Sequence, residues 1–143
     1  MSRRPPAARS DFKLWRSMTT RWADNDAYGH VNNTVYYEWF DSAVNAWMVE
    51  EGLLDIANGD RIALVVETRC TYISPLEFPQ PIEIGLAVAE IGRSSIRYRI
   101  GIFAEGAADA AAEGDFVHVV VDRTTRRPVE IPPEWRRKLE AIS

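Results

Sequence analysis

The run Asn32-Asn33-Thr34-Val35-Tyr36-Tyr37-Glu38-Trp39-Phe40-Asp41-Ser42-Ala43-Val44-Asn45-Ala46-Trp47-Met48-Val49-Glu50-Glu51-Gly52 decides the architecture. Val35, Trp39, Ala43 and Trp47 recur at four-residue steps, and Tyr36, Phe40, Val44 and Met48 form the adjacent row. Glu38, Asp41, Ser42 and Asn45 occupy the other side. This spacing predicts one long helix over 33–51 with a wide apolar face. Asn32, Asn33 and Thr34 are N-cap types, and Gly52 is a natural stop. Two tryptophans on one face mean that the helix is packed deeply against something.

Outward from the helix the period changes. Residues 12–22 read as a first strand. After Gly59, the β-branched run 62–73 ends at Ser74-Pro75. Ile82, Ile84, Leu86 and Val88 alternate with Glu83, Gly85, Ala87 and Ala89, and Ile96, Tyr98, Ile100 and Ile102 do the same with their neighbours. Alternation at period two marks half-buried strands. A Gly/Ala-rich connection over 105–114 precedes Val117, Val119 and Val121, and Pro133 opens a short terminal helix. The order strand, helix, then four strands on short connections favours antiparallel pairing. It predicts an α+β fold, a sheet with one long helix against it. An uncovered second face and open edge strands suggest a homo-oligomer, a dimer or a dimer of dimers.

The composition removes several function classes. The chain has 143 residues and suits a single domain over 11–143, preceded by a frayed basic leader over 1–10. The net charge of −4 argues against a nucleic-acid binder. No apolar run is long enough for a membrane span and no apolar signal core opens the chain, which suggests a cytoplasmic protein. The single cysteine, Cys70, sits in a strand pattern and reads as a packing residue. His30 and His118 are the only histidines, and neither has a ligand cluster around it, so neither a metal nor a cofactor is expected.

The chemistry concentrates in Asp24, Asp26, His30, Asn32 and Asn33, just before the helix. A helix start presents unpaired N–H groups and the positive end of the dipole, which can polarise a carbonyl. A carboxylate in the preceding turn reaches the same space. Residue chemistry alone equally describes an ordinary turn and cap.

The run Arg21-Trp22-Ala23-Asp24-Asn25-Asp26-Ala27-Tyr28-Gly29-His30-Val31-Asn32-Asn33, followed by Tyr36, Trp39 and Phe40, resembles the signature of hotdog-fold thioesterases. The closest group is the 4-hydroxybenzoyl-CoA thioesterase-like acyl-CoA thioesterases. Val65-Val66-Glu67, Tyr72-Ile73-Ser74-Pro75-Leu76 and Arg127-Pro128-Val129-Glu130-Ile131-Pro132 extend the match in order. The resemblance implies a sheet wrapped around the helix and hydrolysis of an acyl-CoA or acyl-ACP thioester without a cofactor. Asp26 would be the catalytic carboxylate, with Asp24 in support. The amide of Asn33 would polarise the thioester carbonyl; relatives often place His or a bulky residue there, and His30 is a candidate to stand in. Tyr28, Gly29, Val65 and Val66 fall at substrate-binding positions. Arg93, Arg97, Arg126 and Arg127 are candidate contacts for the CoA phosphates. Glu38, the nearest helical carboxylate, ranks below Asp26, because the His-Gly-Gly start of the type with a helical Glu is absent. Two rivals stand beside hydrolysis: a hydratase or dehydratase using His30 with Asp26, and a non-catalytic acyl-thioester-binding module.

Overall fold

The computed structural model describes residues 5–143. Helix α1 spans Asn33–Glu50. Five strands accompany it: β1 (Leu14–Thr19), β2 (Arg61–Tyr72), β3 (Pro81–Ile91), β4 (Ser95–Ala104) and β5 (Ala112–Asp122). A second, short helix, α2 (Pro133–Glu140), follows with Pro133 at its start, as the sequence leads one to expect. The strands form one antiparallel sheet in the order β1-β3-β4-β5-β2. Among the described residues the long edge strand β2 therefore pairs only with β5, and a register shift between Val65 and Glu67 bulges it near its middle.

One face of the sheet receives α1. Ile82, Ile84, Leu86, Ile96, Tyr98, Ile100 and Ile102 are each 2% exposed or less, and they share a core with Trp39, Phe40, Val44, Trp47 and Met48 of the helix. The alternation seen in the sequence is this face. Each buried aromatic removes about 150–250 Å² from water, so the helix is held by its side chains more than by its backbone propensity.

The other face is closed in part by the chain's own beginning. Phe12 lies where a Cβ on Gly85 or Gly101 would meet its ring at 2.7 or 2.5 Å. Arg9 stacks 4.3 Å above the Trp15 ring and pairs with Glu83 at 2.9 Å, and the Ala7 N–H donates to Glu113 Oε2 at 2.8 Å. This differs from a frayed leader over 1–10: residues 1–4 lie outside the described residues, but Ala7 is buried. The reason is the outer face of β3 and β4, where Ala87 and Phe103 are apolar and need a cover.

The Gly/Ala-rich connection is shorter than its composition suggests. Ala112 to Gly114 already belong to β5, paired with Tyr72 to Cys70 on one side and with Ile102 to Ile100 on the other. Two flanking ladders override weak strand propensity. Gly114 is required there, because a Cβ would sit 1.9 Å from the Arg69 carbonyl oxygen. Gly114→Ala is therefore expected to destabilise the fold by about 3 kcal/mol in urea unfolding, through overpacking against a backbone atom that cannot yield.

His118 on β5 is 1% exposed, with its ring 5.8 Å from that of Tyr98 and 4.9 Å from that of Phe116. Its Nδ1 has no hydrogen-bond partner among the described residues, and burial lowers its pKa to about 4. The unfolded imidazole binds its proton near pH 6.5, so between pH 6.5 and 4 the unfolded state holds more protons than the native one. Stability from this residue is full above that window and falls by about 3 kcal/mol as the pH drops through it. His118→Leu should show a correspondingly smaller loss of urea stability between pH 7 and pH 4; an unchanged loss would show that the burial of His118 is irrelevant to acid sensitivity.

Candidate active site

The loop between β1 and α1 folds back on itself before the helix begins. The Asp26 N–H donates to the His30 carbonyl at 2.9 Å, the Gly29 N–H to the Asp26 carbonyl at 3.1 Å, and the Asn32 N–H to the Asp24 carbonyl at 2.8 Å. Gly29 takes φ +82°, the left-handed conformation that this tight turn needs. The Asn32 side chain caps α1, accepting from the Thr34 N–H at 2.9 Å. A second loop, after β2, is tied alongside: the Val31 N–H donates to the Leu76 carbonyl at 2.8 Å, and the Phe78 N–H to Asn25 Oδ1 at 3.0 Å.

The two aspartates of the block have separate roles. Asp24 is fully buried and accepts from the Arg21 N–H at 2.7 Å and from Arg21 Nε at 2.9 Å, with the guanidinium Nη2 at 2.7 Å. Its carboxylate is committed to the fold. Asp26 is half-buried; its Oδ1 accepts from the Tyr28 N–H at 2.8 Å, and no ion pair holds it among the described residues. Asp26 is the carboxylate of this loop left available for chemistry.

Beside this loop a cleft of about 230 Å³ opens at the start of α1. His30, Val31, Asn33 and Tyr36 form one wall, and Tyr72 with Ile73, Ser74 and Pro75 at the end of β2 form the other. The Tyr36 and Tyr72 rings meet edge to face at 5.0 Å, and the Tyr72 hydroxyl donates to the Asn33 carbonyl at 2.8 Å. The Asn33 N–H has no acceptor among the described residues, as expected of the first helical residue. Burial raises the Tyr36 phenol to about 12 and the Cys70 thiol to about 11, so both remain protonated at neutral pH. Cys70 is thus a packed thiol and not a nucleophile. A larger cleft of about 290 Å³ lies near Leu53 and Trp135, between the far end of α1 and the start of α2.

The structure brings together part of the predicted set. His30 and Asn33 line the cleft; Asp26, Tyr28 and Gly29 lie in the turn just before it and are not among its lining residues, with Tyr28 88% exposed. Glu38 lies outside it, exposed and paired with Arg21 at 3.3 Å. Val65 and Val66 are 46% and 60% exposed in the middle of edge strand β2, remote from the cleft within one chain. Arg97 faces Glu67, Asp115 and Glu90 at 3.4, 3.5 and 3.9 Å, so its charge is already matched. Arg93 sits in the β3–β4 turn at the far end of the sheet, because Tyr72 aligns with Ala112 and Ala112 with Ile102. Nine strand positions from Ile102 to Arg93 span about 30 Å. Arg126 and Arg127 are exposed in the turn after β5, at that same far end. Within a single chain these arginines do not reach the cleft, and the linear spacing could not show which end of each strand they occupy. The sequence reading also missed Tyr72 as a wall of the site. Its signal was the Tyr-Ile-Ser-Pro run that ends the second strand.

Comparison with known proteins decides the family. The model of the thioesterase-like superfamily matches residues 20–139. The chain belongs to that superfamily. Its sheet and helices form the hotdog fold of this thioesterase-like group. The PA5185 protein of Pseudomonas aeruginosa is 49% identical over 97% of both chains, with a TM-score of 0.94. The PA2801 protein of the same organism, described as a candidate thioesterase, is 26% identical over 87% of this chain and 96% of its own, with a TM-score of 0.79. Slr0204 of Synechocystis, a 1,4-dihydroxy-2-naphthoyl-CoA thioesterase, shares the fold at 18% identity, over 87% of this chain and 93% of its own, with a TM-score of 0.78. A search of curated proteins returns no match. Among the described residues no helix is long and apolar enough to cross a membrane, and no group of three or more His, Cys, Asp or Glu side chains is placed to hold a metal.

Asn32→Ala removes the cap acceptor that fixes the helix start. A loss of about 1 kcal/mol in urea unfolding is expected, with Asn32→Asp restoring most of it.

Proposed function

We propose that this thioesterase-like protein hydrolyses an acyl-CoA thioester to the free acid and CoA, with Asp26 as its catalytic carboxylate. The observation that carries the reading is an Asp26 carboxylate without an ion pair among the described residues, in the turn whose His30 end lines the cleft at the start of α1, in a chain of this superfamily. The thioester carbonyl would lie against the Asn33 N–H, in the manner of the 4-hydroxybenzoyl-CoA thioesterase-like enzymes. A donor so placed is worth about 3–4 kcal/mol in the transition state. Asp26 then attacks the carbonyl carbon to give an anhydride that water opens, or it removes a proton from the attacking water. In both routes CoA leaves as the thiol. The resemblance to acyl-ACP enzymes makes an acyl-carrier-protein thioester the alternative donor. No hydrogen bond or ion pair joins the His30 and Asp26 side chains, so the hydratase reading has no observation in its favour.

The phosphate contacts are supplied by a second copy of the chain in this reading. The free edge of β2 exposes Val65 and Val66. Antiparallel pairing of two such edges about residues 65–67 buries both valines and extends the sheet across the pair. It also sets the Arg61 end of one β2 beside the Tyr72 end of the other. Arg93, Arg126 and Arg127 of a second copy then approach the cleft that they cannot reach within their own chain, as candidates for the CoA diphosphate and 3′-phosphate.

Turnover of an acyl-CoA panel, with released thiol read by a colorimetric reagent, tests the reading. Asp26→Asn is expected to lower kcat by about 100-fold or more while leaving the melting temperature near that of the wild type. Near-wild-type turnover in folded Asp26→Asn would end the assignment.

A further inference from the structure

The Asn33 carbonyl already accepts the i+4 bond of the helix, yet the Tyr72 hydroxyl donates to it as well, at 2.8 Å. The next N–H, that of Thr34, donates to Asn32 Oδ1 at 2.9 Å. The peptide unit joining Asn33 to Thr34 is therefore held at both ends by side chains, one from the cap and one from the end of β2. The first carbonyls of a helix are already satisfied by the i+4 bond, so the Tyr72 donor is not needed to complete the helix. The anchor is itself fixed: the Tyr72 ring packs edge to face on Tyr36, which is only 3% exposed.

Resting on the thioesterase reading above, we propose that Tyr72 is a positioning residue, which holds the first turn of α1 so that the Asn33 N–H stays aimed into the cleft where carbonyl charge develops. The hydroxyl acts through Asn33, not on the substrate. The Asn33 N–H lies on the preceding peptide, whose Asn32 carbonyl accepts from the Val35 N–H at 3.0 Å, and the pinned peptide joins it at the Asn33 Cα. A shift of the pinned peptide by a few tenths of an ångström turns that N–H, which costs alignment with an oxyanion more than contact with a neutral ground-state carbonyl. The bond thus serves the transition state more than binding. Burial, together with the neighbouring Cys70 and Tyr37 side chains, raises the Tyr72 phenol above its ordinary range, so the hydroxyl remains a donor throughout the working range of pH.

The test uses the full chain and whichever of acetyl-, hexanoyl-, palmitoyl- and benzoyl-CoA the wild type turns over. Tyr72→Phe keeps the ring against Tyr36 and deletes only the donor. It is expected to lower kcat about 5- to 10-fold with KM changed by less than about 2-fold. A raised KM with kcat unchanged, or no change in either, overturns the proposal while active wild type and inactive Asp26→Asn leave the thioesterase reading standing. A wild type that hydrolyses none of the four overturns both. Should Tyr72→Phe fail to fold, 4-fluorophenylalanine at position 72, which keeps the ring and nearly its length but cannot donate, replaces it with the same fall in kcat expected. An unchanged kcat in that folded variant contradicts the role.

Discussion

The first turn of α1 has N–H groups without partners inside the helix, and this structure surrounds them with groups that either satisfy or orient them. Asn32 takes the Thr34 N–H, Tyr72 takes the carbonyl on the other side of the same peptide, and the Asn33 N–H is left over at the wall of a cleft. In the proposed reaction that leftover donor is where an acyl carbonyl would gain most, because a preorganised dipole needs no rearrangement during reaction. The rest of the architecture keeps it in place. The aromatic face of the helix locks α1 onto the sheet, and the loops before it and after β2 are bonded to each other through Val31 with Leu76 and through Phe78 with Asn25.

The two carboxylates of the Asp-x-Asp pattern show how one short loop separates structure from chemistry. Asp24 is buried with Arg21 wrapped around it, which a buried charge demands. Asp26, two residues later, is half-buried, has no ion pair among the described residues, and accepts from the backbone of its own turn. Sequence alone ranks these residues through resemblance. Their hydrogen bonds give the physical ground for the ranking, since a carboxylate already saturated by a guanidinium is a poor nucleophile or base.

Most of the fold was legible because its periodicities are long and clean. Val35 to Met48 repeat over four turns, and Ile96 to Ile102 alternate without a break, so helix and strand could be placed within a residue or two. The site was half legible. Asp26, His30 and Asn33 are close in sequence, and local turn geometry keeps them close in space. Tyr72 was hidden because it reaches the site across 39 positions, through sheet register that no local pattern encodes. The distance of Arg93 from the cleft of its own chain was hidden for the same reason: the strands flanking its turn were recognised, but which end of the sheet that turn occupies depends on how four ladders align. The packed start of the chain was missed because its partners, Gly85 and Gly101, read as ordinary outward positions of alternating strands and not as a seat for Phe12.

The most direct measurement is a crystal structure of the protein with a non-hydrolysable ketone analogue of an acyl-CoA that it turns over. The account predicts the ketone oxygen within hydrogen-bond distance of the Asn33 N–H, the Asp26 carboxylate facing the carbonyl carbon, and the acyl group between Tyr36 and Tyr72. An analogue seated elsewhere, with Asp26 directed into solvent, would contradict it.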